Sequence, residues 1–363
     1  MSFSLLSTCR PTAPNLEDKD KAVSLTTLDF FTVLVKGDLK FYTYGQVGLR
    51  TTTVRNAGRG GHSTIEIGTL TRNKSLVAVK RYHLSAKFQS SVEHHRSVTK
   101  ILGQLTRELR ILSHEGLRKH PHIIDIVGVC AEQANGSLDW AIVLEYASHG
   151  TLATFLKGIG ASTSGVQRAD MILGVARGLQ ALHQLGICHG DIKAENSLVF
   201  PKGTGGWVVK ISDFGQAIFP AYHHPRGRVE CPAGTRLLEA PEIRKGEASM
   251  NPEFDIQSAL RTDVFSFGLL AWEVMKRGQR FFDTTWIDDG ESANVDSQER
   301  FLNMLPEDGL LAYGLDFVQA LELDKKTECA IMDVMRGTLK DESQLRKPMH
   351  QLVELFHRES PPL

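Results

Sequence analysis

Neither sign of charge dominates this chain: 42 Lys and Arg stand against 42 Asp and Glu in 363 residues, a formal net charge of zero. No long-range field draws such a protein to nucleic acid or to an anionic membrane, and neither is expected as a partner. Long apolar runs are missing too; stretches such as Phe30–Val35 are far too short to span a bilayer. Cysteine is scarce and scattered. Cys9, Cys130, Cys188, Cys231 and Cys329 contain no Cys-x-x-Cys pair, which argues against a disulfide framework and against a zinc site. No basic start precedes the short apolar piece within residues 1–14, so a secretory signal is not expected. Reduced thiols in an intracellular, cytoplasmic protein are the expectation.

What is present is an ordinary globular composition, 41% hydrophobic, in a chain long enough for two lobes. Residues 1–50 are mixed and read as an N-terminal extension that packs on the fold. From 51 to 146 the pattern favours strands, at Thr64–Ile67, Leu76–Val79, Ile123–Val129 and Trp140–Leu144, with Gly, Asn and Asp between them. One helix interrupts them, where Ile101, Leu102, Leu105, Leu109 and Leu112 recur at near-3.6 spacing. From 147 to 356 helices dominate, including Ala169–Leu185 and Thr262–Met275, and 357–363 form a short tail. Residues 276–308, rich in charge, Gly and Asp, read as a loop insertion. The expected architecture is α+β and bilobal: a small β-rich lobe followed by a larger, mainly α-helical one. No internal repeat is visible.

The most informative run is Cys188-His189-Gly190-Asp191-Ile192-Lys193-Ala194-Glu195-Asn196. It sets an acid, a lysine and an amide at short fixed spacings. Phosphoryl transfer needs such a set: a carboxylate to receive a hydroxyl proton, a cation for the migrating phosphate, and an amide oxygen for a metal. Upstream, Gly58-Arg59-Gly60-Gly61-His62-Ser63-Thr64-Ile65-Glu66-Ile67-Gly68 lies between two candidate strands. It is either a glycine-rich hairpin turn or a loop whose backbone closes over a polyphosphate. A dinucleotide-binding reading would need a helix directly after the glycines, and a strand follows instead. Lys80 emerges on that next strand, 12 residues past Gly68, and needs a carboxylate to fix it; Glu108 is preferred and Glu93 is the rival. The alternative for Glu108 is an exposed pairing with Arg107 or Arg110. Asp213-Phe214-Gly215 follows the strand-like Trp207–Ile211, and Asp213 with Asn196 offers magnesium two oxygen ligands.

In this order, together with Ala240-Pro241-Glu242 and Asp263-Val264-Phe265-Ser266-Phe267-Gly268, these segments resemble the eukaryotic protein-kinase family over about residues 54–356. The resemblance implies that Gly58, Gly60, Ser63 and Ile65 line a bound ATP, that Lys80 holds its α- and β-phosphates and pairs with Glu108, and that Leu144–Ala147, with Glu145 and Ala147, form the adenine hinge. It further implies that Asp191 accepts the substrate hydroxyl proton, that Lys193 stabilises the transferring phosphate, and that Asn196 and Asp213 hold Mg2+. His189 and Asp263 become scaffold residues, and Glu242 pairs with Arg346 in the last helix. Lys193 and Gly234-Thr235 resemble the serine/threonine branch, so a protein Ser or Thr is the implied substrate. A pseudokinase scaffold and a small-molecule phosphotransferase are the alternatives.

Four positions depart from the family pattern. Ser63 replaces the third glycine of the phosphate loop, the interval from Lys80 to Glu108 is a long 28 residues with a basic lead-in (Arg81–Lys100), and Leu238 replaces a tyrosine. The fourth is Gly190, where most members carry the arginine that receives an activation-loop phosphate. The loop from Gln216 to Ala233 has no Ser or Thr, and only Tyr222 is left to phosphorylate. Activity independent of loop phosphorylation is expected, with the extension, the lead-in or a regulatory partner as the possible gate.

Overall fold

A computed structural model describes residues 27–49, 55–56, 63–82, 91–134, 137–203, 205–219, 229–251, 254–286 and 294–357. Helix α1 (Thr27–Lys36) leads into strand β1 (Phe41–Tyr42) and the single turn α2 (Tyr44–Val47). Strands β2 (Arg55–Asn56), β3 (Ser63–Thr69), β4 (Leu76–Tyr82), β5 (Ile126–Ala134) and β6 (Ser137–Glu145) complete a sheet in the order β1-β5-β6-β4-β3-β2. Its pairings are antiparallel except that of β1 with β5, where Phe41 lies beside Val129 and Tyr42 beside Cys130.

Pleat alternation explains how β4 serves the site. Val77 and Val79 turn to one face and pack with Tyr44 and Val47 of α2. Lys80 and Tyr82 turn to the other, which helix α3 (Ser91–Leu112) covers. Ile101, Leu105, Leu109 and Leu112 form the buried stripe of α3. Helix α1 packs along α3 and buries Phe30, Val33 and Leu34.

The second lobe contains α4 (Leu152–Lys157), α5 (Gly165–Gln184), the hairpin β7 (Ser197–Pro201) and β8 (Trp207–Ile211), the short α6 (Pro241–Arg244) and α7 (Glu247–Met250), then α8 (Ile256–Met275), α9 (Val295–Met304), α10 (Gly309–Gln319), α11 (Lys325–Thr338) and α12 (Met349–Leu355). Ser164 and Gln167 form a capping box at the start of α5. Asp255 caps α8 by accepting the Ser258 N–H, so this helix starts six residues before Thr262. Helix α8 is apolar on nearly every side and runs through the core of the lobe, with Phe265, Phe267, Leu270 and Trp272 fully enclosed.

Three sequence expectations are corrected. Residues 276–308 are not a plain loop: Thr284–Trp286 form a 3-10 turn, and α9 starts at Val295 under an Asn294 cap that accepts the Ser297 N–H. Its apolar stripe is narrow, with Leu302 its buried member, and the surrounding charge hides it. Ile123 makes only an isolated bridge to Ile211, and β5 begins at Ile126. Arg346 precedes the last helix rather than lying within it, because Pro348 sets the start of α12.

Candidate active site

Lys80 is the hinge of the electrostatics. Its Nζ donates to Glu108 Oε2 at 2.7 Å and to Asp213 Oδ1 at 2.8 Å, so strand β4, helix α3 and the segment after β8 meet at one ammonium. Glu108 is wholly buried, which removes the exposed pairing with its arginine neighbours. Burial alone would lower the Lys80 ammonium and raise both carboxyls. For Lys80 the Asp213 and Glu108 carboxylates win and hold it well above its ordinary value, while for Asp213 the ammonium wins and pulls the carboxyl down to about 2. For Glu108 burial wins, and its carboxyl stays raised. Asp213 adopts a left-handed backbone, φ +66°, an unfavourable conformation for a non-glycine residue that turns its side chain toward Lys80.

Across the cleft, Asp191 is held from three sides. Lys193 Nζ donates to its Oδ2 at 2.6 Å, Asn196 Nδ2 to the same oxygen at 2.9 Å, and Thr235 Oγ1 to its Oδ1 at 2.8 Å. Lys193 also donates to Thr235 Oγ1 at 2.9 Å, which closes a small ring of polar contacts. The loop beneath is fixed by Asp263 of α8, which accepts the His189 N–H at 2.6 Å and the Gly190 N–H at 2.9 Å. His189 Nε2 lies 3.1 Å from the Ser212 carbonyl. Ser212 N in turn donates to the Asn196 carbonyl at 2.8 Å. Residues 189–196 and 212–213 are thereby tied together at the base of the β7–β8 hairpin.

The sequence-derived residues fall as follows. Lys80, Glu108 and Asp213 form one contact group; Asp191, Lys193 and Asn196 form another. Ser63 is buried at the start of β3 opposite Tyr82, and Ile65 pairs with Lys80 across the strands. Gly58 and Gly60 lie outside the described residues, as does Tyr222. Glu145 ends β6, and its carboxylate accepts the Asp125 N–H at 2.8 Å and Lys210 Nζ at 2.5 Å. Its side chain thus serves the scaffold, which leaves backbone groups as what residues 144–147 have to offer a ligand. The Ala147 carbonyl accepts the Gly150 N–H at 3.1 Å. Two polar residues were not picked out from sequence: Thr235, noticed only as part of a Gly-Thr pair, and Tyr82, whose hydroxyl donates to Glu108 Oε2. The available signal for Tyr82 was its place two residues beyond Lys80, on the same face.

The cleft suits a hard cation shared with phosphates. Asn196 spends its amide nitrogen on Asp191, which leaves its oxygen as the donor atom, and the Asp213 side chain is 46% exposed. One carboxylate and one amide oxygen fit magnesium, which keeps waters and phosphate oxygens as its remaining ligands. Among the described residues no group of three or more His, Cys, Asp and Glu side chains offers a self-sufficient metal site.

A six-stranded sheet thus carries one buried ammonium to Glu108 of α3 and to Asp213 after the β7–β8 hairpin of the helical lobe. Residues 51–356 match the protein kinase domain, and the chain belongs to that family. It is similar to a probable serine/threonine-protein kinase of Dictyostelium discoideum, 32% identical over 216 residues that cover 56% of this chain and 12% of the relative. It is also similar to a leaf rust 10 disease-resistance locus receptor-like protein kinase-like protein of Arabidopsis thaliana, 27% identical over 83% of this chain and 41% of the relative. A third relative, ephrin type-B receptor 4b of Danio rerio, is 28% identical over 68% of this chain and 24% of its own length. The chain spans less than half the length of these relatives. Among the described residues no helix is long and apolar enough to cross a membrane.

Proposed function

We propose that this kinase transfers the γ-phosphate of Mg-ATP to a serine or threonine of a protein, and does so without activation-loop phosphorylation. The threefold hold on Asp191 carries the reading. A substrate hydroxyl beside that carboxylate gives up its proton to Asp191 while its oxygen bonds to the γ-phosphorus; the bond from that phosphorus to the β-phosphate oxygen breaks, leaving a phosphoester and ADP. Lys193 stands 2.6 Å from Asp191, suited to neutralise charge on the phosphoryl oxygens. Lys80 orients the α- and β-phosphates, and Asn196 and Asp213 supply the metal's protein oxygens. Bound Mg2+ would contribute neutralisation of the phosphates. Lys193 and Thr235, together with the serine/threonine name of the Dictyostelium relative, favour an aliphatic hydroxyl over a phenol.

The described ends of the activation segment, 216–219 and 229–233, make contacts that involve no phosphate, which supports the second part of the proposal. Cys188 and Ile218 exchange two backbone hydrogen bonds, at 3.0 and 2.8 Å. The Arg110 guanidinium of α3 lies 5.5 Å from the Phe219 ring centre, and Arg107 reaches the Glu230 carboxylate at 3.9 Å. Gly190 packs its backbone against Gln216, so a side chain there would begin 2.7 Å from the Gln216 carbonyl oxygen. The test treats purified enzyme with phosphatase, maps its phosphosites and assays a basic protein and small alcohols as acceptors. Mg-ATP-dependent Ser or Thr phosphorylation that survives phosphatase and disappears in Asp191→Ala is expected. A large activity loss traced to residues 216–235 would sink loop independence, and phosphorylation of small alcohols alone would sink the protein-kinase reading.

A further inference from the structure

Tyr82 and Lys80 sit two residues apart on β4, so the pleat turns both toward α3. The Tyr82 hydroxyl donates to Glu108 Oε2, the oxygen that also accepts Lys80 Nζ. Lys80 Nζ lies 5.5 Å from the centre of the Tyr82 ring. All three residues are buried, and Glu108 Oε1 has no hydrogen-bond partner among the described residues. One oxygen therefore carries every donor that offsets the burial of this carboxylate.

We propose that Tyr82 is a positioning residue: its hydroxyl holds Glu108 in the ion pair with Lys80 and so sets the ammonium for a nucleotide phosphate with no phosphate on the activation segment. The proposal rests on the kinase reading above. The hydroxyl is backed by packing that reaches the N-terminal helix. Tyr82 pairs across strands with Trp140 of β6, and cross-strand partners share a face. Phe30 of α1, 1% exposed, meets the Trp140 ring edge-on with centroids 4.8 Å apart. Helix α1 and strand β6 thus back the tyrosine whose hydroxyl meets the Glu108 carboxylate, which Lys80 links directly to Asp213. A tyrosine serving only as core filler would need its ring and not its oxygen, which separates the two roles.

The test titrates wild type, Tyr82→Phe, Glu108→Gln and the double variant with Mg-ATP and separately with adenosine, following heat of binding, and records each melting temperature. Tyr82→Phe keeps the ring and deletes the hydroxyl. It should weaken ATP binding about tenfold, the scale of a lost hydrogen bond to a charged group, and leave adenosine, which lacks phosphates, within about twofold. In the Glu108→Gln background the same deletion should change ATP affinity less than about twofold, since the charge it positions is gone. Burial keeps the Glu108 carboxyl raised, so losing a donor raises it further, and the acid-side loss of ATP affinity should start at higher pH in Tyr82→Phe. Unchanged ATP affinity in Tyr82→Phe, an equal loss for ATP and adenosine, or an undiminished effect in the Glu108→Gln background overturns the proposal. The readout is binding, so a wild type that holds ATP yet phosphorylates no protein sinks the kinase reading while this comparison still decides the role of Tyr82.

Discussion

The Arg346 guanidinium grips both carboxylate oxygens of Glu242, Nη1 donating to Oε1 at 2.7 Å and Nη2 to Oε2 at 2.8 Å, across 104 residues of sequence. Its remaining donors reach the carbonyls of Lys340, Arg261 and Asp341, and it lies over the Phe265 ring. The Arg346 side chain is fully buried, so its removal leaves the partly buried Glu242 carboxylate and three carbonyls short of donors. Arg346→Met should cost about 3–5 kcal/mol in urea unfolding. A loss below about 1 kcal/mol would show that the pair is dispensable.

Lys80→Met strands two carboxylates, one of them wholly buried. Phosphorylation should fall more than about 100-fold and stability by about 2–4 kcal/mol. Adding Glu108→Gln should return at least half of the stability and none of the activity. Recovery of both together would contradict separate structural and catalytic debts at this site.

Thr235→Val removes the hydroxyl that donates to Asp191 and accepts from Lys193 while keeping the shape of the side chain. The expected outcome is about a tenfold drop in kcat with KM for ATP within about twofold, because the contact bears on the acid and not on the nucleotide. Steady-state kinetics decide it; a change confined to KM speaks against the assignment.

Gly190 has φ +78°, and a Cβ there would sit 2.7 Å from the Gln216 carbonyl oxygen. Gly190→Ala should therefore destabilise by about 1–3 kcal/mol, read as a lower melting temperature. A neutral or stabilising alanine would mean that this backbone relaxes freely.

Burial, reinforced by the nearby Glu299, raises the Glu239 carboxyl from its ordinary 4.5 to about 7. The folded protein thus holds a proton that the unfolded chain releases in that window, and stability falls as pH rises through it. Above pH 7 the penalty is fully present; below 4.5 it vanishes. The half-buried carboxylate is screened by solvent, so Glu239→Gln should gain only about 1 kcal/mol at pH 8 and nothing at pH 4. An equal gain at both values would rule out the protonation origin.

The parts legible in the sequence are those whose chemistry depends on short spacing. Asp191, Lys193 and Asn196 lie within one loop, and Lys80 and Glu108 declare themselves by a strand and an amphipathic helix. Tyr82 and Thr235 stayed hidden because a lone tyrosine or threonine hydroxyl belongs to no recognisable pattern until the fold sets it against its partner, Glu108 or Asp191. Helix α9 was hidden by its polar surface, and β1, two residues long, is too short to show any periodicity. The α+β, two-lobed arrangement needed only the change from period-two to near-3.6 patterning after residue 146.

Strand β1 lies upstream of residues 51–356 and still closes one side of the sheet, in parallel with β5. The fit is close enough that a Cβ on Gly128 would stand 2.3 Å from the Lys40 carbonyl. Strand β5 is therefore covered at Val129 and Cys130, with the Val129 N–H donating to the Lys40 carbonyl at 2.8 Å. A chain shortened to the family boundary would lose that cover, lay Val129 and Cys130 open to pairing with a second copy, and would be expected to aggregate more readily than the longer chain.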